Sequence, residues 1–184
     1  MQLYASELIK QLRSNPKFAS QLSDANAKMI IKGALLHDIG KVGIPDKILL
    51  RNKKLSSEDF EVIKTHAKRG ADAIQNALKD VDKPVEVLEV ARDIAHWHHE
   101  KWDGSGYPDG LKGAEIPISA RIIAVADVFD ALTSRRVYKE AFPVLEAKKI
   151  INQECGHHFD PDVVDAFNQC FDTLTAIVHA GRRA

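Results

Sequence analysis

Four coordinating side chains stand in two adjacent pairs, His37-Asp38 and His98-His99, with His66 between the pairs and Asp127 after them. Each lies in a stretch that is otherwise apolar or small and patterned as helix. Imidazoles and carboxylates pushed into a packed interior are costly unless something compensates them. A fold that buries these six must therefore bring them to a common partner. A divalent metal is the natural one, and two metals close together suit hydrolysis of phosphate esters. The six side chains are read as the ligand set of a two-metal site. For any one histidine, a hydrogen-bonded core role would be the plainer reading; two pairs plus His66 and Asp127 outweigh it.

The periodicity around these residues is helical nearly throughout, with no strand of convincing alternation, so an all-α bundle is expected. Leu3, Leu8 and Leu12 mark a first helix ending near Ser14-Asn15-Pro16. Ser23 or Asp24 can cap a helix through Met29, Ile30, Ala34 and Leu35 to His37, with Gly40 near its end. Val42-Gly43-Ile44-Pro45-Asp46 breaks it. Ser56 followed by Asp59 starts a helix carrying Phe60, Ile63, His66, Ile74 and Leu78. Pro84 suits the first turn of a helix ending at His98-His99, and a glycine-rich loop, 101–117, follows. Ser119, Pro143 and Asp160-Pro161 open three further helices, and the tail from His179 to Ala184 is expected to fray. There are no repeats and no internal linker, so residues 1–184 read as a single domain.

Charge narrows the chemistry. The 26 basic and 26 acidic residues balance among 184, so no basic field exists to hold long nucleic acid by its phosphates. Phosphate chemistry must then be local. Cys155 and Cys170 are too few for a disulfide framework. No apolar run approaches membrane-spanning length and the N-terminus has no signal core, so a cytoplasmic domain without direct membrane contact is expected.

Neighbours on a helix diverge by about 100°. His37 and Asp38 can address one metal from two directions, or the carboxylate can bridge to a second; His98-His99 can serve two ions. Imidazole with carboxylate suits iron, manganese, zinc or nickel rather than calcium, and the absence of candidate thiolate ligands argues against a structural zinc. Asp127 interrupts an apolar run and is a candidate ligand. Asp130, three residues on, is expected to orient a ligand histidine or Lys41 from behind. Lys41 either neutralises a phosphoryl oxygen or offsets a helix dipole. Trp97, Trp102 and Tyr107 either stack on a base or pack the loop down. Arg135, Arg136 and Lys139 suit phosphate, or simply a solvated helix end. His96, His157, His158 and His179 have no matching partners and read as surface or loop histidines.

HDIGKVGIPD (37–46), Thr65-His66, HHEKWDGSGYPDG (98–110) and ADVFDALTSRRVYK (126–139) together resemble the HD-GYP domain, a branch of the HD metal-dependent phosphohydrolases. The resemblance spans nearly the whole chain. It implies an all-helical bundle that linearises cyclic di-GMP to pGpG, in some members onward to GMP, commonly as the output domain of a response regulator. It implies His37, Asp38, His66, His98, His99 and Asp127 as ligands of two divalent transition metal ions, iron or manganese first and zinc or nickel as alternatives. Asp38 and Lys41 are then catalytic, and Arg136, Lys139 and the name motif Gly106-Tyr107-Pro108 meet the substrate. Some members hold a third metal through a glutamate and a histidine just upstream of this sequence. Neither is present, since Glu7 is out of register and no histidine precedes His37, so the chain is either a truncated piece, the favoured reading, or a two-metal form, and no third site is expected in it as given. A start at Met1 without a lead-in suggests a truncated N-terminus, with a receiver or sensory domain upstream.

The expected reaction is metal-assisted phosphodiester hydrolysis, with in-line attack at phosphorus opposite the departing 3′ oxygen. Two other readings stay open. One is hydrolysis of another cyclic dinucleotide such as 3′,3′-cGAMP. The other is a non-catalytic sensor whose Gly106-Tyr107-Pro108 loop contacts a signalling partner. A homodimer is allowed by the sequence and not required.

Overall fold

A computed structural model describes residues 1–51, 55–80, 85–135 and 141–181. Among them there are helices and no β-strand. The helices are α1 (Gln2–Leu12), α2 (Pro16–Ala19), α3 (Asp24–Gly33), α4 (Asp46–Leu49), α5 (Ser57–Lys79), α6 (Glu86–Trp97), α7 (Ile118–Thr133), α8 (Val144–Gln153), α9 (Pro161–Gln169) and α10 (Phe171–Gly181). None of the described helices is long and apolar enough to cross a membrane.

The capping signals act as chemistry requires. Ser23 and Ser56 accept from the backbone N–H of Asn26 and Asp59, and Asp160 from that of Asp162 ahead of Pro161. Two expectations shift. The helix α7 begins at Ile118 after Pro117, and Ser119 is buried without capping it. The tail is helical through Gly181, so His179 sits in α10 and only 182–184 lie outside the described residues. Pro84 also lies outside them.

The helix α7 is the axis of the molecule. Every residue from Ile118 to Ala126 is buried, the pattern of a helix covered on all sides. Its Ile122, Ile123, Val125 and Phe129 pack into one core with Leu8, Ile9, Phe18, Ile94, Ile151, Val164, Phe167 and Leu174. Arg121 is buried in the same helix. Its guanidinium donates to the Ile116 carbonyl at 2.8 Å and to Asp160 Oδ2 at 2.6 Å, tying α7 to the cap of α9.

On the other flank, α5 packs on α6 and α6 on α3. The α-helix expected to reach His37 stops at Gly33 instead and tightens into 3₁₀ turns, Ala34–Leu36 and Ile39–Gly43. Two close approaches accompany the change. A Cβ on Gly33 would lie 3.1 Å from Ala91 Cα of α6, and one on Gly40 would lie 2.0 Å from the His66 carbonyl oxygen of α5. Gly40 thus presses the backbone after His37-Asp38 directly onto the backbone that carries His66.

Candidate metal centre

Four elements deliver the candidate ligands to one place. His37 and Asp38 sit between the two 3₁₀ turns, His66 at mid-α5, His98 and His99 at the end of α6, and Asp127 on α7. One atom each of Asp38, His66, His98 and His99 lies within 4.8 Å of the others. Asp38 joins them to the remaining pair. Its Oδ1 is 3.3 Å from His66 Nε2 and 3.9 Å from His98 Nε2, while its Oδ2 is 3.2 Å from His37 Nε2. His37 Nε2 is in turn 3.6 Å from Asp127 Oδ1. All six therefore meet, in two lobes that share the Asp38 carboxylate.

The rings are held in one tautomer. Nδ1–H of His37 donates to the Ala34 carbonyl at 2.9 Å, that of His66 to Ile63 at 2.6 Å, and that of His98 to Ile94 at 2.9 Å. A ring held this way offers the cluster its Nε2 lone pair whenever it is neutral. For His66 and His98 that lone pair faces the lone pairs of Asp38 Oδ1. All three of these atoms are buried without a hydrogen-bond donor among the described residues. Converging acceptors without a proton between them repel, and a cation is what satisfies them together. The donor set, three imidazoles and a carboxylate held from behind by carbonyls, fits a divalent transition metal.

Electrostatics set His37 apart from His98 and His99. Burial, followed by the charge of neighbouring imidazoles, holds His98 down to about 4 and His99 down to about 2, so both are neutral at physiological pH. For His37 burial works the same way, but hydrogen bonds to Asp127 and Asp38 overcome it and raise it to about 9. Burial would raise both carboxylates, yet hydrogen bonding to His37, and to Lys41 at Asp38, holds them below the usual carboxylate range.

Lys41 also reaches the cluster. The 3₁₀ segment brings its Nζ 2.6 Å from Asp38 Oδ2. Asp130 does not reach Lys41 or a ligand histidine. Three residues along a helix leave it about 60° round from Asp127, with its Oδ1 3.5 Å from the Met1 amino group. Its side chain lines a cavity of about 650 Å³ beside Tyr4 and Thr133. Arg136 and Lys139 lie outside the described residues.

The name-motif turn folds back onto the end of α6. A Cβ on Gly106 would lie 2.5 Å from Glu100 Cα, so only glycine allows the approach. The Tyr107 N–H donates to the His99 carbonyl at 3.2 Å, and its ring stacks on His99 at 4.8 Å. Burial, then the charges of Asp38 and Asp127, pushes the Tyr107 hydroxyl up, keeping it a neutral phenol. Trp97 donates to Asp109, and Trp102 packs under Arg121.

Sequence reasoning passed over two side chains that fasten this loop. Glu100 is 2% exposed and accepts from the N–H groups of Asp109 and Gly110 at 2.7 and 3.1 Å. His96, read as a surface or loop histidine, contacts Asp109 Oδ2 through Nε2 at 2.9 Å. The available signal was position: a glutamate directly after two coordinating histidines and before a glycine-rich loop.

A family model described as an HD domain matches residues 6–163. The chain is 51% identical over 166 residues, 90% of its length, to a protein of Vibrio cholerae serotype O1 named probable cyclic di-GMP phosphodiesterase. It is 49% identical over 144 residues, 78% of its length, to a cyclic di-GMP phosphodiesterase of Thermotoga maritima. The chain spans 38% of each of these relatives. A 3'3'-cGAMP-specific phosphodiesterase of Vibrio cholerae is 39% identical over 85% of the chain, which spans 29% of it. Among solved structures, Bd1817, a HDG"Y"P protein from Bdellovibrio bacteriovorus, superposes with a TM-score of 0.63 at 24% identity. That match covers 93% of this chain and 51% of the other, a likeness of fold. With His37-Asp38 in the cluster and Gly106-Tyr107-Pro108 against it, the chain belongs to the HD domain family and to its HD-GYP branch.

Proposed function

We propose that the chain is a metal-dependent phosphodiesterase that opens cyclic di-GMP to pGpG, with GMP as the further product, and that it serves as the output domain of a bacterial signalling protein. The observation that carries the reading is the convergence of Asp38 Oδ1 and the Nε2 atoms of His66 and His98, buried and without hydrogen-bond donors among the described residues. The two lobes around Asp38 support two ions, iron or manganese before zinc or nickel. The names of the relatives at 47–51% identity support the substrate.

Bound divalent ions supply Lewis acidity, which makes water nucleophilic at neutral pH and offsets phosphoryl charge. The chain does the rest. Carbonyls of Ala34, Ile63 and Ile94 hold three imidazoles in the tautomer that coordinates. Asp38 bridges the lobes. The Lys41 ammonium stands beside that carboxylate, where charge grows on the phosphoryl oxygens of the transition state. Tyr107 closes one side of the cluster over His99. Arg136 and Lys139, outside the described residues, take the second phosphate.

The test is product analysis after incubating iron- or manganese-loaded protein with cyclic di-GMP under anaerobic conditions. Linear pGpG is expected, and Asp38→Ala should abolish its formation while keeping the helical spectrum. Full turnover by Asp38→Ala would refute the assignment. A second substrate, 3′,3′-cGAMP, is favoured by the relatives at 39% and 37% identity named for it; parallel turnover of both separates the two readings.

A further inference from the structure

Beside the cluster lies a groove of about 280 Å³, walled by Glu61, Lys64, Thr65 and Lys68 of α5 and by Tyr107 and Pro108. It adjoins the candidate metal centre along both walls. Thr65 precedes His66, and the Tyr107 ring stacks on His99. A ligand whose phosphate sits at the cluster would extend naturally into this groove.

Its lining has a definite hydrogen-bonding pattern. Lys64 Nζ is 2.6 Å from Glu61 Oε1, one helical step away. The same ammonium lies 5.5 Å from the centre of the Phe60 ring and 5.7 Å from that of Tyr107. Phe60 is 47% exposed, a large apolar face open beside a charged pair. One turn of α5 thus presents a donor next to an acceptor, flanked by flat surfaces. Guanine carries the complement on one edge, the O6 acceptor next to the N1–H and N2–H donors. Adenine carries the opposite order, with a donor amine at N6 and an acceptor at N1. An exposed ion pair is worth little, so a guanine edge can replace it bond for bond. Lys68 pairs with Asp72 at 2.8 Å, so the adjacent donor and acceptor within the groove are Lys64 and Glu61.

We propose that this groove is a guanine-reading subsite. Glu61 accepts from N1–H and N2–H, Lys64 donates to O6, and the base lies against Tyr107. The inference rests on the phosphodiesterase reading and deepens it: the subsite selects guanine-containing over adenine-containing cyclic dinucleotides.

The test is calorimetric binding of cyclic di-GMP and cyclic di-AMP to the metal-free chain, for wild type, Glu61→Ala and Glu61→Gln. Wild type should bind cyclic di-GMP at least about tenfold more tightly, the size expected for one well-made base-edge pair. The ratio should fall to within about threefold in Glu61→Ala and lie between in Glu61→Gln, whose carbonyl still accepts. The circular dichroism spectrum of each variant should match wild type. An unchanged ratio in Glu61→Ala, or equal binding of both ligands by wild type, would overturn the subsite. Turnover by the manganese-loaded wild type distinguishes the two claims. Hydrolysis with an unchanged ratio removes the subsite alone; the expected ratios without hydrolysis leave the subsite standing and remove the phosphodiesterase reading.

Discussion

Gly40 does more for the centre than its size suggests. It carries no ligand, yet its backbone sits where a side chain cannot, against the His66 carbonyl and the Gly70 amide. Gly40→Ala must push the 3₁₀ turn off α5 and move Asp38 away from His66. The expected loss is about 3 kcal/mol, the upper end for overpacking, with weaker metal binding. Urea denaturation and manganese titration check this, and a variant within about 0.5 kcal/mol of wild type on both would contradict the clamp. The six candidate ligands were legible at this scale because coordinating residues in apolar helical stretches stand out from their neighbours. Glu100 and His96 were not. Their roles depend on backbone N–H groups and a carboxylate 9 to 13 residues away, contacts that no helical period announces. Asp130 illustrates the reverse error: a spacing of three suggests a shared face, but a rotation of about 60° is enough to turn a carboxylate away from a small cluster.

Among the elements, α7 and α9 are joined through buried charge. Asp160 accepts from Asp162 N–H as the cap of α9 and from Arg121 within α7, both side chains almost wholly buried. Asp160→Ala removes a cap and leaves a guanidinium stranded in the core. A loss of about 3–5 kcal/mol follows, because breaking a buried pair exposes the full desolvation cost of the survivor. Chemical denaturation measures it; a change below about 1 kcal/mol would show that the pair contributes nothing beyond the cap. Helix identities and most boundaries followed from caps and periodicity. The stop of α3 at Gly33 did not, since Met29, Ile30, Ala34 and Leu35 continue a helical pattern past it. Contact with Ala91 and the pressure of Gly40 on α5 coincide with that stop, and both are tertiary.

For the molecule as a whole, folding and metal binding are one equilibrium. The ligands come from four separate segments of the chain, so an unfolded chain offers no comparable site. Metal at a free concentration 100 times its Kd then adds about 2.7 kcal/mol of stability. Chelation should lower Tm by roughly 5–10 °C for a domain of this size. The shift should vanish in Asp38→Ala, and an equal shift in that variant would place the metal elsewhere. The all-helical class was visible from periodicity alone, whereas the two lobes sharing one carboxylate appear only when four distant segments are superposed in space. The shared metal centre is tested most directly by anomalous diffraction from the metal-saturated protein at the edge of the bound metal. Peaks enclosed by His37, Asp38, His66, His98, His99 and Asp127 are expected. Saturated crystals with no peak among those six side chains would contradict it.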